Sequence, residues 1–119
     1  MSTLARFDDE WHGEIPVARV RGEVDASNVK EMGDRLRGLL SNRSLALVVD
    51  LSATTYLDSA GINLLFALAE ELRGRQQRLA VVVVEGSPIA RVVSLTGLNQ
   101  ALPVLPTLPD ALSEVAESA

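Results

Sequence analysis

Two short apolar runs separated by a helix-length segment constrain the fold of this chain more than any other feature. Residues 45–51 and 79–84 are almost free of polar side chains, which is typical of parallel strands buried on both faces. Between them, residues 60–75 repeat apolar side chains at helical spacing. A strand, a helix and a second strand in this order predict a parallel pair joined by a right-handed crossover.

The segment before this unit predicts a hairpin followed by a helix. Residues 3–11 and 15–24 alternate in polarity as strands do, and the glycine of His12-Gly13-Glu14 favours a turn between them. From residue 29 to residue 40 the apolar period changes to about 3.6, which indicates a helix. Asp25 or Ser27 is expected to cap its start.

The last third of the chain predicts two more helices and a short strand. Ser87-Pro88 and Gly97 bracket a helix with a capping hydroxyl, an early proline and a terminal glycine. Residues 103–105 are a short strand candidate, and Thr107 is expected to cap a final helix. The predicted fold class is α/β: one domain over residues 1–119, a mixed sheet of about five strands that begins with the hairpin and continues with parallel strands, and about four helices.

Composition excludes several classes of function. The chain has 119 residues, no cysteine, one histidine and a net charge of -5, so disulfides, thiolate catalysis and zinc-thiolate sites are excluded, and no metal or cofactor is expected. Its acidity and low aromatic content of 3% argue against nucleic acid as a partner. The longest apolar runs are far shorter than the roughly 20 residues that span a bilayer, and nothing at the start resembles a secretory signal. A cytoplasmic protein with protein partners is expected.

Asp58 and Ser59 stand where the first apolar run gives way to the predicted helix. A helix start has unpaired N–H groups, and Asp and Ser are the residue types that cap it, so an N-cap is one interpretation of the pair. The pair also follows the carboxyl end of a predicted strand, where open α/β sheets place their ligand sites. Gly61, which weakens a helix, would let another backbone approach closely.

The helix after Ser59 carries more apolar surface than one packed face needs. One stripe is expected to face the sheet, and a second strip begins beside Ser59 and comprises Ala60, Leu64, Ala67 and Leu68. An exposed strip of this kind marks an interaction surface. The alternative is that another helix of the same domain covers it.

Four segments in order carry a resemblance to a known family. Arg21-Gly22-Glu23-Val24-Asp25, residues 45–51, Leu57-Asp58-Ser59-Ala60-Gly61, and Ser87-Pro88 through Thr96-Gly97-Leu98 together resemble the anti-sigma-factor antagonists of bacteria, the STAS domain family. The resemblance implies that the unphosphorylated protein binds an anti-sigma factor, itself a serine kinase, and so releases a sigma factor. It also implies that phosphorylation abolishes this binding and that a phosphatase acts on the phosphorylated form.

The same resemblance assigns roles to individual residues. Ser59 matches the phosphate acceptor, Asp58 matches the aspartate needed for phosphorylation or partner contact, and Asp25 matches an acidic residue near the same surface. The residue after the acceptor is often Ser or Thr in the family and is Ala60 here. The expected partner-binding residues are Asp25, Asp58, Ser59, Ala60, Gly61 and Leu64.

Two other functions compete with this one. The first is a STAS binding module without a switch, such as an accessory subunit of a lipid transporter or a stressosome-type scaffold, in which Ser59 is only a cap. The second is an enzyme with Ser59 as nucleophile, which would need a base. The only histidine, His12, lies in a predicted turn, and the chain has neither a Gly-x-Ser-x-Gly elbow nor a phosphate-binding loop. We therefore expect a protein that is not an enzyme.

Overall fold

The computed structural model describes residues 5–40 and 44–116, in which five strands form one mixed sheet of order β1-β2-β3-β4-β5. The strands are β1 (Ala5–His12), β2 (Ile15–Val24), β3 (Ala46–Leu57), β4 (Arg78–Val82) and β5 (Val104–Leu105). The β1–β2 pair is antiparallel, and all other pairs are parallel. The predicted hairpin and the parallel strands that follow it are therefore confirmed. Residues 3 and 4 of the predicted first strand lie outside the described residues.

Residues 5–40 and 44–116 form five helices, which cover the two faces of the sheet, where about four were predicted. They are α1 (Val29–Leu39), α2 (Ser59–Gly74), α3 (Ala90–Thr96), α4 (Leu98–Ala101) and α5 (Leu108–Ala116). The additional helix, α4, begins directly after Gly97, which has a φ of 79° and ends α3 as predicted. A left-handed residue ends a helix, so the chain starts a new one after it.

The core consists of two apolar clusters, one on each side of the sheet. The larger cluster lies under α1, α2, α3 and α4, and the smaller one lies under α5. Alternation along β2 supplies both, because Ala18, Val20 and Val24 join the larger cluster while Val17 joins the smaller. This is the division of faces that the sequence alternation predicts.

The strand β3 differs from its prediction at both ends. Leu45 is outside the strand and 59% exposed, and the strand continues beyond the apolar run to Leu57. The added residues are mostly polar and exposed, so hydropathy alone ended the strand too early. Pairing with β4 stops at Asp50, so the second half of β3 pairs with β2 only.

Of the N-caps predicted for α1, α3 and α5, two are wrong and one is confirmed. Asn28, rather than Asp25 or Ser27, occupies the N-cap position of α1, and its side chain makes no cap hydrogen bond. Ser87 does not cap α3, because Ile89 holds that position; the Ser87 hydroxyl is buried and has no partner within residues 5–40 and 44–116. Thr107 does cap α5, since its Oγ1 accepts the N–H of Asp110 at 3.2 Å.

No helix in the described part of the chain has the length and hydrophobicity needed to cross a membrane.

Candidate functional site

The carboxyl ends of β2 and β3 meet at one edge of the sheet and bring two aspartates together there. Val24 pairs with Leu57, and the N–H of Asp58 donates to the carbonyl of Val24 at 3.2 Å. Asp25 and Asp58 are the residues that follow these strand ends. We call the surface formed by Asp25, Ser27, Asp58 and Ser59 the corner.

Asp58 is the N-cap of α2. Its backbone is extended, with φ -91° and ψ -173°, and its Oδ1 accepts the N–H groups of Ala60 at 2.9 Å and Gly61 at 3.3 Å. A cap of this kind stabilises a helix by about 1 kcal/mol. The capping interpretation of this carboxylate is therefore confirmed.

Ser59 is the first residue of α2, and its side chain is exposed. Its hydroxyl has no hydrogen-bond partner among the described residues. The N–H groups that a serine at a helix start could accept from are already bonded to Asp58. Asp58 therefore caps the helix, and its neighbour Ser59 keeps a free hydroxyl.

Gly61 is explained by packing inside the protein. The residue is buried, and a Cβ there would lie 2.4 Å from Cδ1 of Leu57 and 3.2 Å from Cγ1 of Val24. The glycine lets α2 start directly against the ends of β2 and β3. The interpretation that this position was chosen for approach by another backbone, and not for stability, is therefore wrong, and a direct partner contact at Gly61 would need rearrangement.

The second apolar strip of α2 is partly covered. Leu68 is fully buried in the larger cluster, and Leu64 is half-buried against α1, where a Cβ on Gly33 would lie 3.2 Å from its Cδ1. Arg37 of α1 also donates to Glu71 of α2 at 2.8 and 3.2 Å. The alternative that another helix covers the strip is thus correct at Leu64, which α1 covers in part. Ala60, Ala67 and part of Leu64 remain accessible.

Asp25 closes a turn before α1. Its Oδ1 accepts the N–H of Ser27 at 2.8 Å and the hydroxyl of Ser27 at 2.5 Å. Asn28 accepts the N–H of Asp25 at 3.0 Å and donates to the carbonyl of Glu23 at 2.9 Å. The hydrogen bond from the Ser27 hydroxyl, followed by that from the Ser27 N–H, holds the pKa of Asp25 below its ordinary value.

Two exposed apolar residues were missed by sequence reasoning. Tyr56, two positions before Asp58, is 49% exposed, and Val84, which follows β4, is 40% exposed. Tyr56 lay in a stretch not assigned to a strand, and Val84 was expected inside a buried strand. The sequence signal that could have identified Tyr56 is its position two residues before the Asp58-Ser59 pair.

The only histidine of the sequence does not lie at the corner. His12 lies beside the β1–β2 turn, at the opposite edge of the sheet from the ends of β2 and β3, and its Nε2 pairs with Oε2 of Glu10 at 2.5 Å. Within residues 5–40 and 44–116, no group of three or more His, Cys, Asp or Glu side chains could hold a metal ion. What the corner offers is a free hydroxyl, two carboxylates and nearby apolar surface.

Comparison with known proteins defines the class of this fold and site. The family model described as the Mlab, STAS domain matches residues 7–109, and the chain belongs to the STAS domain family. Its similarity extends to an anti-sigma-F factor antagonist, RsfB, of Mycobacterium tuberculosis, with 32% identity over 104 residues that cover 87% of this chain and 84% of the relative.

Solved structures show the same likeness. The crystal structure of an anti-sigma factor antagonist from Mycobacterium paratuberculosis is 33% identical, has a TM-score of 0.86, and is matched over 94% of both chains. The anti-sigma factor antagonist SpoIIAA in its unphosphorylated form has a TM-score of 0.75 at 18% identity, over 94% of this chain and 97% of that one. At that identity the second likeness shows the fold alone.

Proposed function

We propose that this protein is an anti-sigma-factor antagonist whose binding is switched at Ser59. The unphosphorylated form binds an anti-sigma factor that is a serine kinase and so releases a sigma factor, phosphorylation of Ser59 abolishes binding, and a phosphatase restores it. The mycobacterial relatives named above support the class of function. The observation that carries the switch is the exposed, unbonded hydroxyl of Ser59 beside the capping carboxylate of Asp58.

The electrostatics of the corner explain why a phosphate would oppose binding. A phosphate adds about -1.5 to -2 charges at neutral pH. The N–H groups of Ala60 and Gly61, which could bind it, already bond Asp58. Among the described residues, no Lys, Arg or His forms an ion pair with Asp25 or Asp58. The new charge would therefore add to carboxylates and would be desolvated on docking.

Binding measurements test the switch directly. A change from 99:1 to 1:99 in occupancy needs about 5.5 kcal/mol of differential affinity. Ser59→Asp carries less charge than a phosphate, so it should weaken binding of the anti-sigma factor without reproducing the full effect, whereas Ser59→Ala should bind constitutively. Titration calorimetry that gives equal affinities for the two variants would contradict the switch.

Mass spectrometry tests the chemical step. Incubation with a candidate anti-sigma kinase and Mg-ATP should add the mass of one phosphate group to the wild-type chain and none to Ser59→Ala. The wild-type chain incubated without ATP is the control.

A STAS binding module without a switch is the second candidate. It is favoured by the capping role of Asp58, which explains this residue without any phosphorylation, and by Ala60, which stands where the family often has a second hydroxyl. If the wild-type chain gains no phosphate and Ser59→Ala and Ser59→Asp both bind the partner as wild type does, this second function replaces the first.

A further inference from the structure

The half of β3 that leads to the corner is held from one side only. Asp50 is the last residue of β3 to pair with β4, opposite Val82. From there to Leu57 the strand pairs with β2 alone, and the register of that pairing shifts between Arg19 and Arg21 and again between Gly22 and Glu23. The chain that carries Asp58 and Ser59 therefore reaches the edge through an interrupted ladder.

Two side chains bond the backbone at the first interruption. Between the pairs Arg19–Asp50 and Arg21–Ala53, β2 has one residue, Val20, while β3 has two. Oδ1 of Asp50 accepts the N–H of Ser52 at 2.9 Å, and Oγ1 of Thr54 donates to the carbonyl of Val20 at 2.7 Å. Backbone groups at a bulge lose their ladder partners, and these side chains replace them.

Both side chains are buried even though they are polar. Asp50 is 4% exposed and Thr54 is 2% exposed, and they are two of only four buried polar or charged residues in the described part of the chain. Burying a carboxylate is unfavourable unless its hydrogen bonds are satisfied. The charged neighbour of Asp50 is Arg19, whose Nε lies 4.0 Å from Oδ2.

Packing holds this bulge from the side of the larger cluster, in which Val20 and Leu51 are buried, and the opposite side is less filled. A cavity of about 110 Å³ lies beside it, lined by Arg19, Val20, Arg21, Asp50, Ser52 and Ala53. The helix on this face, α5, contacts β3, β4 and β5. The hydrogen bond that Asp50 accepts from Ser52 and the one that Thr54 donates to Val20 are thus directional contacts to the backbone at this bulge, in addition to packing.

We propose that Asp50 and Thr54 are positioning residues for the corner, which hold the bulge of β3 so that Asp58 caps α2 and Ser59 is presented. The connection is short, because Leu57 lies three residues after Thr54 and packs against the position of Gly61. The role of this positioning in partner binding rests on the function proposed above.

Matched substitutions separate the effect of losing each hydrogen bond from a general loss of stability. Thr54→Val keeps the side-chain shape and removes the hydroxyl, whereas Thr54→Ser keeps the hydroxyl. Asp50→Ala removes the acceptor, whereas Asp50→Asn keeps an oxygen for the N–H of Ser52. Val115→Ala is the control, because Val115 is buried in the smaller cluster under α5, away from the corner.

The first readout is the backbone amide NMR signals of Ala60 and Gly61, whose N–H groups bond Asp58. Thr54→Val and Asp50→Ala should shift both signals, while Thr54→Ser, Asp50→Asn and Val115→Ala should leave them near their wild-type positions. Unshifted signals in folded Thr54→Val overturn the proposal. If Asp50→Ala does not fold, the Thr54 pair alone decides the outcome.

The second readout is affinity for the anti-sigma factor at a temperature where each variant is fully folded. If the corner has the binding-competent arrangement only part of the time, the apparent affinity falls in proportion to that fraction. We expect about a five- to tenfold loss of affinity for Thr54→Val. Thr54→Ser and Val115→Ala should bind as wild type does. Wild-type affinity in Thr54→Val overturns a role in binding, whereas failure of the wild type to bind overturns the proposed function and leaves the NMR result to decide the positioning.

Discussion

Two helices begin side by side at the carboxyl edge of the sheet, and each uses an aspartate and a serine differently. After β2, the carboxylate of Asp25 bonds both the N–H and the hydroxyl of Ser27. After β3, the carboxylate of Asp58 bonds the N–H groups of α2 and leaves the hydroxyl of Ser59 free. Both serines are exposed, so exposure does not distinguish them.

The difference follows from the position of each aspartate relative to its helix. Asp58 directly precedes α2, so its carboxylate reaches N–H groups two and three residues ahead, as N-caps do. Asp25 lies three residues before the N-cap Asn28, so the donors within its reach are those of Ser27. An aspartate near a serine in the sequence therefore does not indicate whether the serine hydroxyl is bonded. The hydrogen bonds of the carboxylate decide this.

The largest expected effect is on phosphorylation. With an anti-sigma kinase and Mg-ATP, Ser27→Ala should incorporate phosphate fully and Ser59→Ala should incorporate almost none, because the Ser27 hydroxyl is bonded to Asp25 whereas the exposed Ser59 hydroxyl has no hydrogen bond to the described residues. Intact mass and peptide mapping measure this. Phosphate found on Ser27 of the wild-type chain would remove the distinction between the two helix starts.

The next effect concerns the third residue of each helix. Gly61→Ala should lower the free energy of unfolding by about 1–3 kcal/mol, as overpacking does, because the new methyl group would meet Leu57 and Val24. Glu31→Ala, at the exposed third position of α1, is the control and should stay within about 0.5 kcal/mol of wild type. Urea unfolding measures both, and equal losses would show that the two starts are packed alike.

Substitution of each aspartate by alanine compares how much the two carboxylates contribute to stability. Asp58→Ala should cost about 1 kcal/mol of stability because α2 loses its cap, and Asp58→Asn should restore most of it because Asn is also a good N-cap. Asp25→Ala should cost less than Asp58→Ala, since the Asp25 carboxylate caps no helix. Chemical denaturation checks this order, and a larger loss for Asp25→Ala would reverse the roles assigned here.

The smallest effect is a dependence on pH at Asp25. Its pKa is lowered in the folded state, first by the Ser27 hydroxyl, so the stabilisation is present above the unfolded pKa and is lost as pH falls through the folded pKa. The stability difference between wild type and Ser27→Ala should therefore shrink in acid. Carboxyl NMR titration should also show a higher pKa for Asp25 in Ser27→Ala, and an unchanged pKa would contradict the turn.

Local patterns predicted those elements whose signals lie within a few residues. The bounds of β2 match residues 15–24 because its apolar side chains are divided between the two apolar clusters on opposite faces of the sheet. Thr107 and Gly97 were recognised because capping depends on residues one to three positions away. The polar half of β3 was missed because its strand pairing comes from β2 and not from its own hydropathy.

The position of the candidate site was predicted from local signals, but its hydrogen bonds were not. The Asp-Ser pair at a strand-to-helix junction located the corner, and the parallel pairing of β2 and β3 brought Asp25 to it. The sequence could not show which residue caps each helix, because several Asp, Ser and Asn side chains competed for the same N–H groups. It also could not show that α1 covers Leu64, since that contact joins two separate helices.

The sequence by itself determined the α/β class, the hairpin followed by parallel strands, and the place of the Asp58-Ser59 pair, because apolar period and capping chemistry are local properties of the chain. Only the tertiary structure decided the bulge of β3, the need for glycine at position 61 and the freedom of the Ser59 hydroxyl. The first two features depend on contacts between distant residues, such as Thr54 with Val20 and the position of Gly61 with Val24, which no local pattern encodes. The third depends on which of several nearby side chains accepts the N–H groups of Ala60 and Gly61.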